Sequence, residues 1–306
     1  MPFMRDFYFY KVLPSPWGAD FLFLWLFLYP LCCFSAHSPV CNLSQTNVFF
    51  VGREEHLQQI KDFFKKNDKI ILALTGGPGF GKSQIAKKYA HIYHKDYDFI
   101  WWIDAQQDIP GQIEKLALAL NTLLPQKEHI IPSKLSKEAL VDTVKNTLKV
   151  KKIRYLLIFD NSETYERVDQ YIPTVHHPSH KHALLTSRNA NIWIDKIEVG
   201  KFKREESLRM IKAALPQEKK EDMVKLAEAL SDYPLGLFLA LSFIKSHPTV
   251  TIDKYITMHF KNSLKKAGAP PGALLDHYPK GALATLDISL QYIGEESKDS
   301  LQALFL

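Results

Sequence analysis

From Val48 onward the chain alternates two patterns: short unbroken apolar runs, and longer stretches whose apolar residues return every three or four positions. KIILALTG (Lys69–Gly76), DFIWWIDA (Asp98–Ala105), RYLLIFDN (Arg154–Asn161) and HALLTSR (His182–Arg188) predict buried strands, and DKIEVG (Asp195–Gly200) a fifth. Between them, EEHLQQIKDFFKK (Glu54–Lys66) sets Leu57, Ile60, Phe63 and Phe64 at helical spacing. Lys82–His94, Gln112–Leu123 and Lys137–Leu148 read as further helices. Strands that lack polar alternation and take turns with helices imply a parallel sheet covered on both faces. After Lys203 the strand runs stop. Glu205–Leu215, Glu221–Leu230, Leu235–Ser246 and Ile252–Leu264 read as consecutive helices, AGAPPGA (Ala267–Ala273) as a linker or turn, and Leu283–Ile293 as one more helix before the apolar end LQALFL.

The stretch before Val48 has a different character. FLFLWLFLYPLCCFSA (Phe21–Ala36) is uncharged and apolar, shorter than the about 20 residues a spanning helix needs, and interrupted by Pro30. Three readings of it stand: a signal or short membrane anchor, a non-native leader from a misassigned start, or a buried or interfacial helix. The expected division is therefore a leader over 1–46, an α/β domain over 47–202, a helical subdomain over 203–266, and a final segment over 267–306.

Composition narrows the function classes. The three cysteines, Cys32, Cys33 and Cys41, all fall in or just after the apolar run, so the main body holds no disulfide framework or cysteine zinc site. The net charge of +6 comes from lysines and arginines interleaved with acids, which argues against a nucleic-acid partner. HHPSHKH (His176–His182) fits no zinc spacing and reads as a solvated loop.

The chemistry concentrates in LALTGGPGFGKSQIA (Leu72–Ala86). Gly76, Gly81, Lys82 and Ser83 satisfy G-x-x-x-x-G-K-[ST], between an expected strand and an expected helix. A loop of this kind wraps a polyphosphate with inward backbone N–H groups, and side chains on Gly76, Gly77, Gly79 and Gly81 would block that approach. The helix N-terminus adds oriented donors and the positive end of its dipole. Lys82 is placed to reach β- and γ-phosphates, and the Ser83 hydroxyl to bind Mg²⁺. YLLIFD ends a strand on Asp160, in position to hold Mg²⁺ beside the loop, and LLTSR ends the next on Arg188, in position to face a γ-phosphate.

Taken in order, these motifs resemble the NB-ARC nucleotide-binding module of the STAND class of P-loop ATPases, which includes plant disease-resistance and apoptosome-forming proteins. FFVGREEHL (Phe49–Leu57) resembles that family's opening motif and implies nucleotide contact for Val51 and Arg53. GGPGFGKSQIA is similar to its Walker A, extending the implied contacts through Pro78, Phe80 and Gln84. LLIFDN resembles its Walker B, LLTSR its first sensor, and SDYPLGLFLAL (Ser231–Leu241) its Gly-Leu-Pro-Leu-Ala element, with Pro234 at the position that packs on the base. The resemblance covers about Val48–Ser246, and the tail from Ala282 resembles the start of a winged-helix subdomain, so the chain reads as a fragment of a longer protein. It implies an ATP- or ADP-binding switch with Mg²⁺, a cytoplasmic body, and protein partners or self-association; membrane contact is expected only through residues 21–36. One departure matters. Where family members often carry a second acid after the Walker-B aspartate, this chain has Asn161, which orients water but accepts no proton as a carboxylate does. Slow hydrolysis is the expectation, with Lys82, Asp160 and Asn161 as the reacting set. A steadily turning-over ATPase or phosphotransferase, and a non-hydrolysing nucleotide-bound scaffold, are the alternatives.

Overall fold

In the computed structural model, which describes residues 38–44, 50–66, 70–173 and 180–258, the apolar runs form one six-stranded sheet. The strands are β1 (Val40–Cys41), β2 (Ile71–Thr75), β3 (Phe99–Asp104), β4 (Tyr155–Asp160), β5 (Lys181–Ser187) and β6 (Lys196–Glu198). Their order is β1-β3-β4-β5-β2-β6 and every neighbouring pair is parallel. Eight α-helices have both ends within the described residues: α1 (Glu54–Lys66), α2 (Lys82–Ile92), α3 (Ile109–Leu120), α4 (Lys137–Val150), α5 (Tyr165–Asp169), α6 (Arg204–Ala214), α7 (Lys220–Ala229) and α8 (Pro234–Ser246). Residues 252–258 are helical as well.

The strands look uniformly apolar because each side of the sheet has its own core. Leu72, Leu74, Ile100, Leu156, Ile158 and Leu184 pack under α1 and α2. Their neighbours Ala73, Phe99, Trp101, Ile103, Leu157, Phe159 and Leu185 pack under α3 and α4. The period-two alternation of a strand thus decides the face, and both faces are dry.

Three local details depart from the sequence pattern. α3 begins at Ile109, not Gln112, because the Asp108 carboxylate accepts the Gly111 N–H at 3.1 Å and Pro110 sits in the first turn, where a missing N–H costs nothing. Its expected last turn, Asn121–Leu123, is 3₁₀. The strand β1 lies upstream of residue 47: Val40 pairs with Phe99, and the Asn42 amide continues the ladder, donating to Trp102 O at 2.9 Å and accepting the Trp102 N–H at 2.7 Å. Two strand residues carry no periodicity. At the end of HHPSHKH, His182 belongs to the strand expected from HALLTSR and not to the loop before it: it is buried in β5, stacked on Phe64 at 4.1 Å, with Nδ1 2.7 Å from the Tyr97 hydroxyl.

The helices after residue 203 share a separate core of Met210, Ile211, Leu226, Leu237, Leu241 and Tyr255. Buried Glu206 ties this unit to the sheet domain. Its Oε1 accepts the Arg53 N–H at 2.7 Å and its Oε2 the Lys203 N–H at 2.8 Å. Gly52 makes the approach feasible, since its φ is +72° and a Cβ there would lie 2.5 Å from Glu206 Oε1. Among the described residues, no helix is long and apolar enough to cross a membrane. The apolar leader and the winged-helix expectation lie outside the described residues.

Candidate nucleotide site

β2 ends at Thr75 and the chain turns through Gly76–Gly81 into α2. Gly76 passes so near β6's exit that a Cβ would lie 2.1 Å from Val199 O, on a φ of +145°. Gly79 has a φ of +71°, and a Cβ there would meet the Tyr233 hydroxyl at 2.4 Å. Close approach from outside the loop, as well as room within it, therefore demands glycine.

Lys82 opens α2 and is buried, donating from Nζ to Gly76 O and Gly77 O at 2.8 Å each. Burial lowers its pKa to about 8; the positive charge of Arg188 adds to the shift and Asp160 opposes it. Next to it, Ser83 Oγ donates to Asp160 Oδ1 at 2.6 Å. Asp160 is the buried last residue of β4. A second hydroxyl, Thr186 of β5, donates to the same Oδ1 at 2.5 Å and accepts the Asn161 N–H at 2.9 Å. Asn161 has a φ of +60°, a left-handed conformation that asparagine tolerates. Ser83 and Asp160 thus present adjacent hard oxygen donors, the chemistry that suits Mg²⁺.

Above these groups lies a cavity of about 430 Å³. Pro78, Gly79, Phe80, Gly81, Lys82, Ser83, Gln84, Asn161 and Arg188 line its polar end; Phe50, Val51, Phe202, Met210, Pro234, Leu235 and Phe238 line its apolar end. Gln84 Oε1 is buried with no hydrogen-bond partner among the described residues. Arg188 is exposed and makes no hydrogen bond or ion pair among them. Pro234, the first residue of α8, is buried. The apolar end takes Phe50 and Val51 from just before α1 and Met210, Pro234, Leu235 and Phe238 from the helices after residue 203, so a ligand here would touch both.

The structure brings the sequence-derived residues together, with one difference of role. Arg53 lines the cavity, but its guanidinium donates to Gly200 O at 2.6 Å, Phe80 O at 3.1 Å and Lys201 O at 3.4 Å, and stacks over Phe202 at 4.6 Å. It ties the loop to the inter-unit connection. Thr186 and Tyr233 were inside quoted motifs, LLTSR and SDYPLG, without a role of their own. Tyr233 donates its hydroxyl to Pro78 O at 2.5 Å, and Leu235 N–H reaches Gly79 O at 3.2 Å. Phe202, Met210 and Phe238 carry no signal beyond core apolarity.

The sequence model of the family described as NB-ARC domain matches residues 53–221, a span that contains the loop, Asp160 and Arg188. Among solved structures, a Walker-type ATPase of Pyrococcus abyssi aligns with a TM-score of 0.53 and 12% identity over 74% of this chain and 76% of that one. A STAND protein with a tetratricopeptide repeat sensor from Pyrococcus horikoshii aligns with a TM-score of 0.50 and 16% identity over 65% of this chain. The aligned region spans 30% of that protein's length. At such identities the likeness is one of fold. No curated protein matches the chain significantly.

Proposed function

The chain belongs to the NB-ARC domain family and carries its P-loop nucleotide-binding module, and from that premise we propose that it is an ATP/ADP switch with slow hydrolysis, regulating assembly or signalling. The observation that carries this reading is the grip of the helical unit on the loop's own carbonyls. Tyr233 Oη and Leu235 N–H hold Pro78 O and Gly79 O, and Phe80 meets the Tyr233 ring edge-on at 5.7 Å. The other side of the loop is held by Lys82. Phosphate oxygens compete with Gly76 O and Gly77 O for that ammonium, so filling the loop moves the backbone that Tyr233 grasps. A change at the terminal phosphate, faced by Arg188, then shifts the balance between closed and open arrangements of the units. Ser83 and Asp160 are the residues to hold Mg²⁺, which supplies charge neutralisation at the phosphates. Asn161 orients water without accepting its proton, which keeps hydrolysis slow.

The test compares ADP with a non-hydrolysable ATP analogue by amide exchange at Leu235. ADP keeps that amide protected by Gly79 O, and the analogue raises its exchange. Equal protection with both nucleotides bound overturns the switch, and rapid multiple-turnover phosphate release favours the steady enzyme instead.

A further inference from the structure

The edge of the sheet opposite the nucleotide cavity carries an unbalanced positive charge. α1, α2 and α4 run antiparallel to the strands, so their C-termini gather where the strands begin. Lys65 and Lys66 end α1, Lys95 follows α2, and Lys149 and Lys152 flank the end of α4. All five are exposed, and none has an ion-pair partner among the described residues. Hydrogen bonds join part of this edge: Arg154 bonds Asp98 Oδ1 at 2.6 Å and reaches Lys95 O at 3.5 Å, while Lys181 Nζ caps α4 through Leu148 O, Lys149 O and Lys151 O. Of the described acids nearby, Asp98 is held by Arg154 and Glu128 by Lys151, which leaves Asp96 and Asp62, the latter hydrogen-bonded by Gln58 one turn before Lys65 and Lys66, against the five lysines.

Two aliphatic side chains stand out among these cations. Val150 is 75% exposed between Lys149 and Lys151, and Ile92 is 45% exposed three residues before Lys95. A nucleic acid gains nothing from them, whereas the boundary of a bilayer takes lysines at its headgroups and aliphatics just below. The chain also enters the sheet at this edge: Val40 N–H donates to Asp98 O at 3.0 Å, and the uncharged apolar sequence of residues 21–36 lies just upstream.

We propose that this edge is a docking face for an anionic lipid surface, with Lys65, Lys66, Lys95, Lys149 and Lys152 meeting the headgroups and Val150 and Ile92 entering the interface. The strands are five to seven residues long in β2–β5, which sets the cavity about 20 Å from that surface, open to the bulk.

The test uses the full chain in co-sedimentation with vesicles of phosphatidylcholine alone or with phosphatidylserine added. Binding is expected to be at least about tenfold tighter to the anionic vesicles and to fall with salt. Lys149→Gln with Lys152→Gln, and separately Lys65→Gln with Lys66→Gln, each weaken it about fivefold per lysine. Lys219→Gln with Lys220→Gln, on the exposed start of α7, leaves it unchanged. ADP affinity stays the same in every variant, so this proposal and the switch reading stand or fall separately. Equal binding to both vesicles, no effect of either edge pair, or tighter binding to a duplex oligonucleotide than to anionic vesicles overturns it.

Discussion

Thr186 donates its hydroxyl to Asp160 Oδ1 at 2.5 Å, from the strand beside the one that Asp160 ends. Ser83 donates to the same oxygen, so if Mg²⁺ were held by Ser83 and Asp160, Thr186 would be the hydroxyl left to orient the carboxylate. Thr186→Val keeps the shape and removes the donor, and it leaves the Asn161 N–H unpaired. We expect a stability loss of about 1–3 kcal/mol. We also expect the Mg²⁺ concentration for half-maximal ADP binding to rise about tenfold, as one lost hydrogen bond to a charged group implies. Thr186→Ser restores both. Calorimetric Mg²⁺ titration at fixed ADP reads this, and an unchanged Mg²⁺ requirement reduces Thr186 to packing.

Gly79 and Tyr233 form the contact through which the two units meet at the loop. A methyl group at Gly79 would lie 2.4 Å from the Tyr233 hydroxyl and 2.9 Å from Leu235 Cβ, on a backbone of positive φ. Gly79→Ala therefore carries two penalties, a left-handed alanine and a steric clash, together about 2–4 kcal/mol. Tyr233→Ala relieves the Tyr233 part of the second and leaves the Leu235 contact. In a double-mutant cycle the pair should be less destabilised than the sum of the single variants by about 1 kcal/mol or more. Strict additivity in chemical denaturation would mean that the two side chains do not share this contact.

Lys82 sets a pH dependence of opposite sign for folding and for binding. Its pKa in the folded protein is about 8, against an ordinary 10.5. The unfolded chain holds that proton more tightly, so this group's contribution makes ligand-free stability rise between pH 8 and pH 10.5. If polyphosphate binds the ammonium as proposed, ADP affinity should hold level below pH 8 and fall above it, by at most about tenfold per pH unit. Melting temperatures with and without ADP should converge across that window. Lys82→Met should abolish the convergence along with the binding, and an ADP-induced shift that stays constant to pH 10 contradicts the assignment.

How much of this was legible beforehand follows from what each residue contributes locally. Four strands were readable because dry runs of five to seven residues between helical stretches have few other solutions; β6 is three residues with Lys196 and Glu198 exposed, and only the short run DKIEVG pointed to it. β1 was not readable, because two residues and a side-chain amide complete a sheet edge without any periodicity. The loop was readable because its glycines, Lys82 and Ser83 are contiguous. Thr186 was not separable from its strand, since a buried threonine looks the same whether its hydroxyl meets a carbonyl or a carboxylate. Arg53 was legible as belonging to the site, but its partners Phe80 O, Gly200 O and Lys201 O are main-chain atoms that no side-chain pattern reports. The apolar end of the cavity joins residues from 50 to 238, a conjunction only the tertiary fold creates.

On the proposed reading, Asn161 is the residue that would separate a nucleotide holder from a nucleotide consumer. It follows Asp160 at the carboxyl edge of β4, borders the cavity, and has its N–H fixed by Thr186. Its φ of +60° is open to aspartate nearly as readily as to asparagine, so Asn161→Asp changes the chemistry with little backbone cost. The new carboxylate can accept a proton from attacking water, an assistance that contributes about 10²–10⁴-fold in rate where it is fully aligned. A rise toward the lower end is expected here, because the added negative charge beside Asp160 also resists the approach of phosphate. ADP affinity in the presence of Mg²⁺ should change by less than about tenfold, since the proposed phosphate contacts are Lys82 and the loop amides, not position 161. Single-turnover hydrolysis of ATP distinguishes the outcomes. A faster chemical step identifies position 161 as the missing base, and an unchanged step with intact binding means that the limit on hydrolysis lies in the closure of the two units around the nucleotide.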